Sequence, residues 1–159
     1  MKIDHLELVN FRNYPKYNID FADITIFIGP NGVGKTNILE AVWLLADGRS
    51  WRTAHDNETI FWAEDFSKIS ASILAKDNKI ELELILQKQA SKNYPQTKTL
   101  KINGVKHRLL DLFGQMPAVL FSPETLQMLG GAPSLRRRFL DIMLAQTDHQ
   151  YVYNLLEYQ

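Results

Sequence analysis

Lys35 and Thr36 carry the most specific chemistry in this 159-residue chain, because of the residues in front of them. Gly29-Pro30-Asn31-Gly32-Val33-Gly34-Lys35-Thr36 fits G-x-x-x-x-G-K-[ST], the phosphate-binding loop pattern, at every position. Glycines at 29, 32 and 34 let the backbone come close to a phosphate chain. Successive N–H groups then converge on the phosphates at the positive end of a helix dipole. Lys35 is placed to reach the β- and γ-phosphates, and the Thr36 hydroxyl to ligate Mg²⁺. A nucleotide phosphate chain with Mg²⁺ is the ligand class this pattern predicts, held by the loop residues and Asn37; small-molecule kinases, GTPases, transporter ATPases and repair ATPases all remain open on the loop alone.

Such a loop must sit between a strand and a helix, and the flanks predict both. Ile24-Thr25-Ile26-Phe27-Ile28 is β-branched and apolar, the composition of a buried strand. Asn37 to Leu45 carries apolar residues at helical spacing, and Gly48 is placed to end that helix. Upstream, Lys2 to Leu8 and Tyr17 to Phe21 alternate polar and apolar, as half-buried strands do, around a turn at Phe11 to Pro15. Residues 54–66 read as a short packed helix or loop.

Downstream, three strand signals follow. Ile69, Ala71 and Ile73 alternate; Ile80, Leu82, Leu84 and Leu86 alternate more clearly after a turn at Lys76 to Lys79; and Asn103-Gly104 between short apolar runs signals a hairpin. Ser91 to Gln96 reads as a polar loop. Ala118-Val119-Leu120-Phe121 reads as a further buried strand after a short helix at Leu109 to Phe113. Helical turns follow from Glu124, then a longer helix from Pro133 and another beyond Thr147-Asp148.

Composition bounds the rest. Hydrophobic content of 45% and charged content of 23% suit a globular protein, and 18 basic residues balance 18 acidic ones. Bulk charge therefore does not advertise nucleic-acid binding, and any such surface must be a local patch. There is no cysteine, so disulfides and thiolate chemistry are excluded. No secretory signal and no spanning apolar run is read in the sequence, so the expectation is a cytoplasmic protein with no membrane partner. His5, His55, His107 and His149 lack metal-ligand spacing.

Phe11-Arg12-Asn13-Tyr14, Gly29 to Glu40, Gly48 to Thr53, and Phe121-Ser122-Pro123-Glu124 through Pro133 to Asp141 together resemble the RecF family of bacterial DNA replication and repair ATPases, relatives of the SMC proteins. The resemblance implies an α/β P-loop NTPase: an ABC-ATPase head with a mixed β-sheet, an inserted antiparallel β sub-sheet and the start of a helical subdomain. Residues 1–53 would be the ATP-binding-cassette core, 54–122 the β insertion and lobe boundary, and 123–159 the start of the helical arm. It further implies ATP and Mg²⁺ as cofactors, an ATP-dependent homodimer, gapped or junction DNA as a partner, and the RecR and RecO mediators. A signature serine motif and a Walker B strand ending in Asp-Glu are not found in residues 110–159. The chain is therefore expected to be truncated, with no catalytic residue of its own, and to bind ATP without appreciable hydrolysis.

By the same resemblance, Arg12 matches a position that reaches the nucleotide, Gln115 falls near the expected Mg²⁺-ligating glutamine, and Arg49 and Arg52 lie toward DNA or a partner subunit. Arg136-Arg137-Arg138 opens a helix at the end where the dipole disfavours positive charge, which points to phosphate contact at Arg136 and Arg137; three consecutive helical positions cannot share one face. The competing classes are a transporter-type ATPase subunit and a small metabolite kinase. The stretches around Phe11 to Tyr14 and Arg49 to Thr53 do not resemble the transporter class, and no lid arginines or substrate carboxylate motif of a kinase is read in the sequence.

Overall fold

The computed structural model describes residues 1–75, 78–88 and 97–158. Strands β1 (Lys2–Phe11), β2 (Tyr14–Asp20), β3 (Phe66–Ala75), β4 (Asn78–Gln87), β5 (Thr97–Ile102) and β6 (Val105–His107) form one sheet in the order β2-β1-β3-β4-β5-β6. Each neighbouring pair is antiparallel. The opening hairpin and the expected insertion are thus continuous, because β1 pairs with β3. Asn103 and Gly104 make the β5–β6 turn with φ of 51° and 79°, the left-handed geometry that this dipeptide tolerates best. The predicted turn at Lys76 to Lys79 lies partly outside the described residues, and the loop at Ser91 to Gln96 wholly so.

Period-two patterning gives the sheet two different faces. One presents Leu6, Leu8, Ile69, Ala71, Ile73, Leu82, Leu84 and Leu100, all buried. Helix α1 (Lys35–Asp47) lays Ile38, Ala41, Leu44 and Leu45 onto them in a common core. Each such side chain contributes about 1.5–3 kcal/mol by burial, and this packing fixes α1, and so the glycine loop at its start. The other face is polar, with cross-strand ion pairs Lys68–Glu7 at 3.2 Å and Lys101–Glu83 at 2.6 Å. Gly48 closes α1 at φ 75°, its N–H donating to the Leu44 carbonyl.

Beyond the sheet, 3₁₀ turns at Leu109–Leu112 and Glu124–Leu126 precede α2 (Gln127–Gly130), α3 (Pro133–Thr147) and α4 (His149–Tyr158). The Asp148 carboxylate accepts from the Gln150 N–H at 2.8 Å, capping the start of α4. Residues 54–66 hold a 3₁₀ turn at Asp56–Thr59, and Ile60 bridges back to Phe11.

Two expected buried strands are not strands here. Residues 24–28 pair with nothing among the described residues, and Ile24, Ile26 and Ile28 are 81%, 75% and 91% exposed. Thr25 and Phe27 turn inward instead, Phe27 meeting Phe21 edge-on at 6.3 Å. Val119 and Phe121 are likewise exposed, in a segment without ladder bonds. Composition predicts the extended, alternating backbone, but a strand also needs a neighbour to take its hydrogen bonds.

Candidate nucleotide-binding site

The glycine loop is held from beneath by the β1–β2 turn. Arg12 adopts φ 53° there, which sends Asn13 and Tyr14 under the loop. Asn13 donates its amide to the Val33 carbonyl at 3.0 Å and accepts from the Asn37 amide at 2.9 Å. Gly34 is buried at φ 111°, and a Cβ built on it would lie 2.6 Å from the Tyr14 hydroxyl and 2.8 Å from the Asn13 amide. This is why the loop tolerates only glycine at that point. These contacts give Asn13 and Tyr14 a mechanical role beneath the loop.

Gly34 also precedes the first turn of α1, where helical N–H groups have no intrahelical partner. Among the described residues, no N–H from Asn31 to Thr36 donates within the protein. Lys35 folds over the loop, its Nζ donating to the Gly29 and Pro30 carbonyls at 2.7 and 2.6 Å. The Thr36 hydroxyl is exposed and has no partner among the described residues. Gly29 to Thr36 and Asn37 are therefore brought together with unpaired donors, a lysine and a hard oxygen ligand on one short segment.

Arg12 is engaged within the protein. Its Nε and Nη2 grip both oxygens of Glu40 at 2.9 and 2.6 Å, and Nη1 donates to the Glu58 carbonyl at 2.6 Å. Each terminal nitrogen keeps one further N–H. Glu40 is wholly buried and also accepts from the Ser50 hydroxyl and from Arg52 Nη1 at 3.1 Å. Arg52 Nη1 donates to the Asn37 side-chain oxygen at 2.7 Å as well, so a polar chain runs from Val33 through Asn13 and Asn37 to Arg52 and Glu40. Sequence reasoning passed over Glu40. The available signal was its place on the stripe Glu40, Leu44, Asp47, at i, i+4 and i+7 on a helix whose neighbouring stripe is apolar.

Asp47, the other acid on that stripe, is buried and its pKa is raised to about 6. Burial is the largest cause; Arg138, Arg49 and Lys98 pull the other way. A carboxyl that holds its proton more tightly when folded loses stability as pH rises from about 4 to about 6, and the penalty then persists at neutral pH. Asp47→Asn should therefore raise the melting temperature near neutral pH, by at most about 3 kcal/mol of stability, and change little near pH 4. Thermal denaturation at the two pH values checks this, and an equal shift at both would contradict it.

The remaining expected site residues are dispersed. Gln115 sits in the turn after Leu112, whose carbonyl its N–H meets at 3.1 Å, and no hydrogen bond joins it to the glycine loop. Arg136 Nη1 points to the Met128 and Gly131 carbonyls at 3.3 and 3.1 Å, bracing the α2–α3 turn. Arg137 has no polar partner among the described residues. Arg49 and Arg52 line a cavity of about 660 Å³ that Arg138, not its two neighbours, enters from α3. Among the described residues there is no cluster of three or more His, Asp or Glu side chains that could hold a metal ion, and no helix long and apolar enough to cross a membrane.

Comparison with known proteins places this arrangement. The family model described as AAA ATPase domain matches residues 1–126. The DNA replication and repair protein RecF of Oceanobacillus iheyensis is 40% identical over the whole chain, which spans 42% of that protein. RecF of Bacillus cytotoxicus is 38% identical, again over the whole chain and 41% of its own length. The chain thus spans about two fifths of the length of the curated relatives it matches. A solved structure described as the recombination mediator protein RecF-ATP in the RecFOR pathway superposes with a TM-score of 0.88 at 30% identity, over 98% of this chain and 41% of that one. The SMC head domain from Thermotoga maritima shares the fold, with a TM-score of 0.55 at 23% identity over 70% of this chain and 41% of that one. An ABC/SMC-like P-loop ATPase fold, the family match over residues 1–126 and the RecF alignments agree: the chain belongs to the AAA ATPase domain family and matches RecF-type DNA replication and repair proteins in their ATPase part.

Proposed function

We propose that this chain is the ATP-binding part of a RecF-type DNA repair and recombination ATPase, and that ATP sits on the loop Gly29 to Thr36. The observation carrying this reading is the run of unpaired N–H groups from Asn31 to Thr36, at the start of a helix fixed by its packing. Such donors at the positive end of a helix bind phosphate oxygens. Lys35 would exchange its two carbonyl partners for the β- and γ-phosphates. The exposed Thr36 hydroxyl is a donor of the kind Mg²⁺ takes, and the metal would neutralise phosphate charge there. Gln115 as a second metal ligand, and Arg12 as a nucleotide contact through its two remaining N–H groups, belong to the same reading.

The assignment of residues 1–53 to the cassette core, 54–122 to the β insertion and 123–159 to the helical arm is part of it too. Hydrolysis is assigned to the longer, dimeric protein. Glu40, the acid on the loop's own helix, is occupied by Arg12, Arg52 and Ser50 and is not free to orient water. ATP-dependent pairing of two copies, gapped DNA as the target, contacts from Arg49, Arg52, Arg136 and Arg137, the RecR and RecO mediators and a cytoplasmic setting follow from the RecF likeness. Titration with a fluorescent ATP analogue and Mg²⁺ should saturate at one site per chain; no saturable binding by folded protein would overturn the reading.

A further inference from the structure

We infer that the turn carrying Trp62 docks into an apolar groove at the start of α3 on a second copy of this chain, head to tail and without nucleotide. Trp62 is 95% exposed, although tryptophan is highly buried on average. Its turn is held on both flanks. The Phe61 N–H donates to the Asn10 carbonyl at 2.8 Å, the Glu64 N–H to the Phe61 carbonyl at 3.0 Å, and the Lys88 N–H to the Asp65 carbonyl at 2.7 Å. The Asn10 amide donates to Glu64 at 3.3 Å, and Lys88 Nζ to the Trp62 carbonyl at 3.4 Å. A lone exposed apolar residue is ordinary, but an indole displayed on a fixed turn loses little freedom on binding, which is what an interface anchor requires.

The groove lies among Pro123, Leu126, Gly130, Gly131 and Leu135, with a volume of about 540 Å³, room enough for a ring system. Leu126 and Leu135 are exposed in it, and a Cβ added at Gly130 would meet nothing within 4 Å. Since Trp62 is bare, its own chain's groove does not receive it, and a second copy supplies the contact. Charge selects the same pairing. Residues 54–66 hold four acids and no Lys or Arg, whereas residues 123–138 hold three arginines and one acid. The Asp65 carboxylate has no partner among the described residues. Beside the groove, Arg136 braces the Gly131 carbonyl through Nη1, and its Nη2 has no bond among the described residues. Arg136 can serve that carboxylate or a DNA phosphate, not both, so the contact belongs to the DNA-free protein. Turn and groove are different surfaces, so the assembly is heterologous and builds rings or filaments.

The chain has no cysteine, so single introduced ones report contacts cleanly. Ala63→Cys lies beside Trp62 and Ala132→Cys beside the groove, both at exposed positions. The two variants, carrying tags of different mass, are mixed with a mild oxidant and neither nucleotide nor DNA, and the disulfide-linked species are quantified by mass. The expected product is the mixed dimer joining position 63 of one copy to position 132 of the other, in excess over either symmetric dimer. Trp62→Ala in the Ala63→Cys background should cut its rate by at least about tenfold. Asp65→Lys, which sets a like charge before Arg136, should also cut it. Ile26→Ser, which removes another bare apolar side chain elsewhere, should leave it unchanged. Unchanged melting temperatures show that the variants fold. Symmetric disulfides as abundant as the mixed one, no disulfide at all, or a mixed yield unaffected by Trp62→Ala would overturn the contact and leave ATP binding at Lys35 untouched.

Discussion

Lys35→Ala is expected to weaken ATP binding by roughly 100-fold or more, about 3 kcal/mol, because two charge-assisted contacts to phosphate are lost together. The fold should hardly notice. Among the described residues, Lys35 Nζ bonds only to the Gly29 and Pro30 carbonyls, at a partly exposed site where water can replace it. Titration of the same fluorescent ATP analogue into both proteins, with melting temperatures alongside, separates the two effects. Parent-like affinity in the variant would show that the nucleotide is not held by this loop.

The second large effect falls on stability, and its site is Glu40. This carboxylate has no exposed surface, yet it joins the β1–β2 turn through Arg12, the loop after α1 through Ser50 and Arg52, and its own helix. Ser50 in turn accepts from the N–H groups of Arg52 and Thr53 at 2.9 and 3.3 Å, so the loop's conformation depends on the same cluster. Removing one partner of a buried ion pair leaves the other charge uncompensated, which typically costs about 3–5 kcal/mol. Glu40→Ala should destabilise by about that much, since Arg12 remains largely buried beside the cavity it leaves. Glu40→Gln keeps the shape and one acceptor and should fall between. Denaturant unfolding measures both. A loss below about 1 kcal/mol for the alanine variant would mean that the two arginines find other partners.

The glycine loop, α1, the Gly48 stop, the β1–β2 hairpin, β4 and the Asn103–Gly104 turn were legible because each is specified by residues near one another in sequence. The loop's support by Asn13 and Tyr14 was not, since twenty residues separate Asn13 from its Val33 partner. Glu40 was hidden for a related reason: a glutamate next to an apolar helix stripe reads as surface until the arginines at 12 and 52 are seen to converge on it. Ile24 to Ile28 and Ala118 to Phe121 show the opposite failure. Their composition is that of strands, but no ladder among the described residues receives them.

We propose that this chain holds ATP without turning it over. Incubating it with Mg²⁺ and γ-labelled ATP, isolating the complex and analysing the released nucleotide tests that directly. The account predicts recovery of intact ATP, in near-stoichiometric amount. Steady release of labelled phosphate, abolished in Lys35→Ala, would contradict it.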